Sequence, residues 1–147
     1  MKPYQIYQQQ QAVSATRIDL LLALYDKAHT HLSQALHALT QEELSTATSH
    51  LFKAQVIVYA LASGVDPNYD HVAQNMLRLY EFMLHCLSFR EAEKIQGALQ
   101  VLTILREGLR GIESKARNLE LSGKIPPLKA TAALRMSVYS GFSLSVQ

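Results

Sequence analysis

Apolar residues recur along most of the chain at steps of three and four positions, the spacing that puts side chains on one side of an α-helix. From Arg17 to Leu39 this pattern predicts a first helix. Thr16 and Asp19, three residues apart, are placed to cap its start. The apolar side of this helix comprises Leu20, Leu21, Leu24, Tyr25, Ala28, Leu32, Ala35, Leu36 and Leu39.

A second helix is predicted after a short turn. Thr40 and Glu43 have the spacing of a capping box, in which a hydroxyl and a carboxylate satisfy the first free backbone N–H groups. Ser63-Gly64 is typical of a helix end, because glycine tolerates the left-handed backbone that often follows a helix. The apolar side of the second helix comprises Leu44, Ala47, Leu51, Ala54, Val58 and Leu61.

Two more helices are predicted after a loop at residues 64–68. The third runs from about Tyr69 to Leu87, and the fourth from about Arg90 to Leu119. Ser88 and Glu91 have the spacing of a capping box for the fourth helix. The glycines at positions 97, 108 and 111 are weak points within it, because glycine costs about 1 kcal/mol in a helix relative to alanine.

Helices of about 20 residues joined by short turns predict an all-α fold, an antiparallel up-down four-helix bundle over residues 17–119. Residues 1–16 are expected to be a flexible segment that can act as a lid. Residues 120–147 are expected to be a C-terminal extension, in which residues 128–139 predict one short extra helix. The length of 147 residues suits a single domain.

Composition narrows the functional classes. Apolar residues make up 48% and charged residues 18%, as in packed globular proteins. The net charge of +2 is scattered, so we expect no nucleic-acid interface. The single cysteine, Cys86, cannot form an internal disulfide and fits a reducing, cytoplasmic location. No apolar run reaches the roughly 18 residues of a membrane span, so no membrane insertion is expected.

Candidate chemistry is sparse. The six histidines lie neither in Glu-x-x-His pairs nor in a His-Glu-x-x-His helix, the patterns of di-iron bundles and zinc proteases, so we expect no metal. No phosphate-binding loop, nucleophile elbow or acid–base pair is present, so no catalytic residue and no cofactor are expected. Arg78 and His85 resemble the Arg-to-His motif of HEPN-type ribonucleases, which leaves a ribonuclease as the enzyme alternative.

Several segments resemble the FliS family of flagellin chaperones. The chain opens with YQIYQQQ from Tyr4, followed by Ser14-Ala15-Thr16 and then by Leu20, Leu24, Tyr25 and Asp26. The second and third predicted helices carry further matching residues, with the family's Leu-Tyr pair at Leu79-Tyr80. These are Lys53, Ala54, Ile57, Leu61, Val72, Ala73, Asn75, Leu79, Tyr80 and Met83. The chain departs from the family at Arg17, which is usually proline, at Ala23, which is usually methionine, and in lacking tryptophan.

This resemblance implies a cytoplasmic chaperone without enzymatic activity. Its expected partner is the disordered C-terminal segment of flagellin, whose premature polymerisation it would prevent before export by the flagellar type III system. Export-gate or regulatory proteins are further expected partners, and a bundle that binds another secreted or regulatory protein is the alternative. The predicted partner-binding residues are Tyr4, Tyr7, Leu24, Tyr25, Val56, Tyr59, Leu79, Tyr80 and Met83.

The two tyrosines of the N-terminal segment, Tyr4 and Tyr7, are predicted to form a movable lid, because aromatic rings bury much area with few rotatable bonds. The other predicted partner-binding residues lie on helical apolar stripes, and such stripes are usually ordinary core. Sequence periodicity does not decide whether these helical residues bind a partner or belong to the core.

Overall fold

The structure, a computed structural model, describes residues 15–125, which form five α-helices and no strand. The helices are α1 (Arg17–Thr40), α2 (Leu44–Ser63), α3 (His71–Leu87), α4 (Ala92–Gly111) and α5 (Glu113–Leu121). This confirms the predicted fold class, a four-helix bundle with an extra C-terminal helix. Two predicted segments lie outside the described residues. They are the N-terminal lid, of which only residues 15 and 16 are described, and the helix at residues 128–139.

The chain divides into two compact units. Residues 24–108 form the bundle unit, which holds most of α1, all of α2 and α3, and α4 as far as Gly108. The described part of the other unit consists of residues 15–23 and 109–125, with the first turns of α1 and all of α5.

The core of the bundle unit consists of one buried stripe from each of its four helices, at the predicted three- and four-residue steps. Alanines on α1, α2 and α4 are fully buried, and their small side chains allow close approach of neighbouring helices. The larger buried residues fill the remaining space. The buried side chains include Tyr25, Ala28, Leu32, Ala35, Ala47, Leu51, Ala54, Val58, Tyr80, Met83, Leu87, Ile95, Ala98 and Leu102.

The start of α1 is capped as predicted. The backbone N–H and the hydroxyl of Thr16 both donate to the Asp19 carboxylate, at 3.0 and 2.8 Å. The third helix begins at His71, two residues later than predicted, because the Asp70 carboxylate accepts a hydrogen bond from the backbone N–H of Ala73 at 2.7 Å.

Two of the predicted capping boxes are wrong. The hydroxyls of Thr40 and Ser88 donate backward to backbone carbonyls three residues earlier, each at 2.6 Å, and so belong to the ends of α1 and α3. In the α1–α2 turn, Glu42 adopts the left-handed backbone with φ 58°. The N–H of the next residue, Glu43, bonds the Ala38 carbonyl at 2.9 Å and closes α1. Thr40 therefore remains helical and cannot cap α2.

The prediction of one continuous helix over residues 90–119 is also wrong. The chain leaves helical geometry at Ile112, where φ is −110° and ψ is 6°, and α5 begins at the next residue. The Ile112 N–H bonds the Leu109 carbonyl, three residues back, at 3.2 Å. Gly111 directly precedes this break, and the conformational freedom of glycine lowers the cost of ending α4 there.

In the unit formed by the two ends of the described chain, ion pairs join the first turn of α1 to α5. The Arg117 guanidinium contacts the carboxylates of Asp19 at 2.6 Å and Glu113 at 2.7 Å. The buried Glu120 carboxylate accepts the backbone N–H of Arg17 at 3.1 Å. Burial raises the pKa of Asp19, but hydrogen bonds from Arg117 and Thr16 outweigh burial and bring the pKa below its ordinary value.

In the bundle unit, a pair of histidines joins α1 to α2. The Nδ1 atoms of His31 and His50 lie 3.1 Å apart, a hydrogen bond that requires at least one ring to be neutral. Burial lowers the pKa of His31 to about 4, with further lowering from His50, Lys53 and Lys27. Burial also lowers the pKa of His50, again helped by Lys53.

The carboxylate of Asp19 yields a first prediction. Its folded-state pKa is depressed, so its contribution to stability is present above the unfolded pKa of about 3.9 and is lost as the pH falls through the folded value. Asp19→Asn should lower the thermal midpoint at pH 7, and the difference from wild type should shrink at pH 3. Circular dichroism melts measure both, with the exposed Glu107→Gln as control. An equal deficit at both pH values would contradict this role of Asp19.

The histidine pair yields a second prediction. Its folded-state pKa values are depressed, so the unfolded chain binds more protons and stability should fall as the pH drops from about 6.5 towards 4. The double variant His31→Leu/His50→Leu should lose less of its thermal midpoint between pH 7 and 5 than wild type does. The exposed His37→Leu should keep the wild-type slope. If the thermal midpoint of the double variant fell as steeply with pH as that of wild type, this pair would not be the cause of the pH dependence.

Candidate functional site

Helix α2 carries apolar side chains on two opposite sides. Its buried side packs into the core, while Phe52, Val56 and Tyr59 lie on the outer side with 64%, 53% and 67% of their surface exposed. Their spacing of four and three residues aligns them along the helix. We call these three residues the α2 ridge.

A groove runs beside the ridge where α2 packs on α3. It has a volume of about 270 Å³ and is lined by Gln55, Val56, Tyr59 and Leu84. The Gln55 side-chain amide donates to the Leu87 carbonyl at 2.6 Å, which links α2 to the end of α3 and satisfies a carbonyl that the helix leaves free. The groove therefore extends the apolar surface of the ridge from α2 onto α3.

The residues that surround the ridge on α2 have small side chains. The residues that share its outer side of α2 are Ser45, Thr48, Ser49, Ala60 and Ser63, all of them exposed. Ser63 donates its hydroxyl to the Tyr59 carbonyl at 2.8 Å and so adds no free donor at that end. The Thr48 hydroxyl, one turn before Phe52, accepts a hydrogen bond from the Arg90 guanidinium at 3.3 Å, so one positive charge borders that end of the ridge. The ridge itself suits the apolar side of another helix.

The predicted partner-binding residues differ in how accessible they are. Val56, Tyr59 and Leu79 are exposed, and the first two lie on the ridge, whereas Leu24 is partly buried. Tyr25, Tyr80 and Met83 have at most 2% of their surface exposed and offer no accessible surface. Tyr4 and Tyr7 lie outside the described residues. Contact of any of these residues with a partner stays a prediction.

The two buried tyrosines are held inside the bundle by each other. The hydroxyls of Tyr25 and Tyr80 share a hydrogen bond, and their rings are tilted with centroids 6.5 Å apart. Burial raises the pKa of both phenols, so they stay neutral and can keep that bond. The bond satisfies groups that would otherwise be costly to bury, which explains why tyrosine is tolerated in this core.

Phe52 and Leu84 were not predicted as site residues. The signal for Phe52 was present in the sequence, because it lies four residues before Val56 and outside the apolar stripe assigned to the core of α2. Leu84 carries no comparable signal, because its part in the groove depends on how α3 packs against α2.

A second apolar depression lies on α4. It has a volume of about 480 Å³ and is lined by Gln96, Leu99, Gln100, Thr103 and Ile104. Two amides and a hydroxyl interrupt its apolar surface, and the described residues that line it all belong to one helix. The ridge and groove, shared by two packed helices, form the better candidate site.

Residues 15–125 contain no group of three or more His, Cys, Asp or Glu side chains that could hold a metal ion. Cys86 is buried, and Arg78 and His85 are exposed, with the His85 ring edge-on to Phe89. None of the five helices is both long and apolar enough to cross a membrane.

Comparison with known protein families finds a match over most of the chain. A family model described as "Flagellar protein FliS" matches residues 1–116. No curated protein matches the chain.

The contrast between core and ridge gives a third prediction. Met83→Ala should destabilise the protein by about 2–5 kcal/mol because it removes a fully buried side chain. Val56→Ser, at a half-exposed position, should change stability by no more than about 0.5 kcal/mol. Urea unfolding measures both changes. Similar losses in the two variants would mean that Val56 belongs to the core.

Proposed function

The chain belongs to the FliS family of flagellar proteins, and from that premise we propose that it is an export chaperone that binds the disordered C-terminal segment of flagellin. The α2 ridge is the single observation that carries the proposal. The ridge exposes two large aromatic side chains and a valine side by side, and contiguous apolar patches on a protein surface often mark sites of protein–protein interaction.

The shape of the site fits a helical ligand. A partner helix with apolar residues at steps of three and four can cover the ridge and place a side chain in the groove between Tyr59 and Leu84. Flagellin's C-terminal segment would gain helical structure on the ridge, and part of the binding energy would offset the cost of ordering it. Binding would therefore be reversible enough for later release.

This binding accounts for a role in flagellum assembly. A flagellin whose C-terminal segment is covered cannot use that segment to join a filament, so premature polymerisation in the cytoplasm would be prevented. Release would occur where the flagellar type III system takes up the subunit, with export-gate or regulatory proteins as further partners. No bond is made or broken in this role, so we assign it no catalytic residue, metal or cofactor.

The N-terminal segment has a place in this proposal. Tyr4 and Tyr7 could cover part of the ridge until flagellin displaces them, because their rings offer the same kind of apolar surface as the partner. The buried residues Tyr25, Tyr80 and Met83 are left out of the binding surface, since a partner could reach them only if the bundle opened.

Calorimetric titration with a peptide of flagellin's C-terminal segment gives the fourth prediction. The triple variant Phe52→Ser/Val56→Ser/Tyr59→Ser should bind at least about tenfold more weakly than wild type, a loss of roughly 1.4 kcal/mol or more. Raising the salt concentration should weaken wild-type binding much less than the triple substitution does, because the three ridge side chains carry no charge.

Ile104→Ser is the matched control, since it removes an apolar side chain with similar exposure, 64%, from α4. It should bind like wild type. No binding by the wild-type protein, or a loss confined to Ile104→Ser, would reject the proposal. Binding of a different secreted or regulatory protein through the ridge would favour the alternative partner class.

A further inference from the structure

Helix α5 is held in place mainly by charged side chains. Of its nine residues the one that is buried is Glu120, whereas Leu121 is 67% exposed and Leu119 is only partly buried. Most helices are anchored by an apolar stripe, and a helix as short as α5 is marginal in water without one. The helical state of α5 therefore depends on its polar contacts.

Those contacts join α5 to the first turn of α1. The Arg117 guanidinium bridges the carboxylates of Asp19 on α1 and Glu113 on α5, at 2.6 and 2.7 Å. One oxygen of Glu120 accepts the backbone N–H of Arg17 at 3.1 Å, and the other lies 3.4 Å from Arg17 Nε. Because Arg17 is the first residue of α1, its N–H has no acceptor within the helix, and Glu120 caps it from another helix. We call these five residues the α1–α5 clasp.

The clasp is open to the solvent on most of its members. Its two arginines, Asp19 and Glu113 have between 25% and 41% of their side-chain surface exposed, so dissolved salt can screen their attraction. The Glu120 side chain is only 6% exposed, and a buried carboxylate has lost hydration that it would regain if α5 moved away. Both effects make the clasp weaker than an apolar contact of the same size, and they make it sensitive to salt.

The start of α5 allows it to move as a separate element. The chain already leaves helical geometry at Ile112, directly after Gly111, and no side chain caps the first turn of α5. Residues 109–125 also belong to a different compact unit from the bundle core. Movement of α5 would therefore break no hydrogen bond in the middle of a continuous helix, and it would not require the bundle unit to unfold.

From these contacts we propose that α5 is a salt-sensitive strap, which opens from the first turn of α1 while the bundle unit stays folded. Opening breaks the ion pairs of Arg117 and Glu120 and leaves the first N–H groups of α1 to water. Thr16 and Arg17 are where the N-terminal segment joins α1 in the sequence. The clasp therefore controls how firmly the base of that segment is held.

Hydrogen–deuterium exchange of the full-length protein, read by mass spectrometry, gives the fifth prediction. Raising the salt from about 0.1 to about 1 M shortens the screening length from about 10 to about 3 Å, and should speed amide exchange in residues 113–121 at least about threefold. Exchange in residues 51–61, within α2, should not change. Arg117→Gln should produce the faster exchange of residues 113–121 already at low salt, and should remove most of its salt dependence.

The matched control is Lys115→Gln, which removes the same charge from an exposed position of the same helix. Its residues 113–121 should exchange like those of wild type at both salt concentrations. The proposal would be overturned if salt left the exchange of residues 113–121 unchanged in wild type, or if Lys115→Gln had the same effect as Arg117→Gln. Faster exchange of residues 51–61 together with 113–121, in high salt or in Arg117→Gln, would also overturn it, because α5 would then unfold only with the bundle unit.

Discussion

A helix in a bundle can turn only one side toward the core, and this constraint governs the structure around α2. Its inward side carries the small residues Ala47 and Ala54, which allow neighbouring helices to come close. Its outward side carries the large rings of Phe52 and Tyr59. The bundle therefore completes its core while leaving the two aromatic side chains of α2 exposed, and another chain or another segment of this one can cover them.

The contacts on either side of α2 keep its outer face fixed. His31 and His50 join α2 to α1, and the Gln55 side chain bonds the Leu87 carbonyl at the end of α3. Both are hydrogen bonds between partly buried groups, so breaking either would leave polar atoms poorly satisfied. A binding surface built on packed helices presents its side chains in one geometry, which favours recognition of a partner that is itself disordered before binding.

The periodicity of apolar residues was enough to predict the four helices of the bundle unit, because each of these buries a single regular stripe. Helix ends were harder, since a Thr or Ser followed by Glu at three residues' distance has the same spacing whether its hydroxyl begins one helix or ends the previous one. Thr40 and Ser88 do the latter. In the sequence, Gly111 marked only a weak point of the predicted fourth helix. Glycine allows a helix to end but does not require it, so the break after Gly111 could not be predicted.

The candidate site could be predicted only in part for a related reason. Val56 and Tyr80 both lie in apolar helical patterns, yet one faces water and the other bonds Tyr25 inside the core. That difference depends on which side of each helix meets a neighbour. Membership of the FliS family points to a role in the flagellar system. The exposed rings of α2 are the surface to which we propose that the partner binds.

Site-specific photo-crosslinking tests the central claim most directly. A photoreactive amino acid replaces Val56 on the α2 ridge or Gln100 on α4, and each protein is irradiated with full-length flagellin before the adducts are mapped by mass spectrometry. The account predicts adducts from position 56 to flagellin's C-terminal segment and few from position 100. Adducts confined to position 100, or none at position 56 although the complex forms, would contradict it.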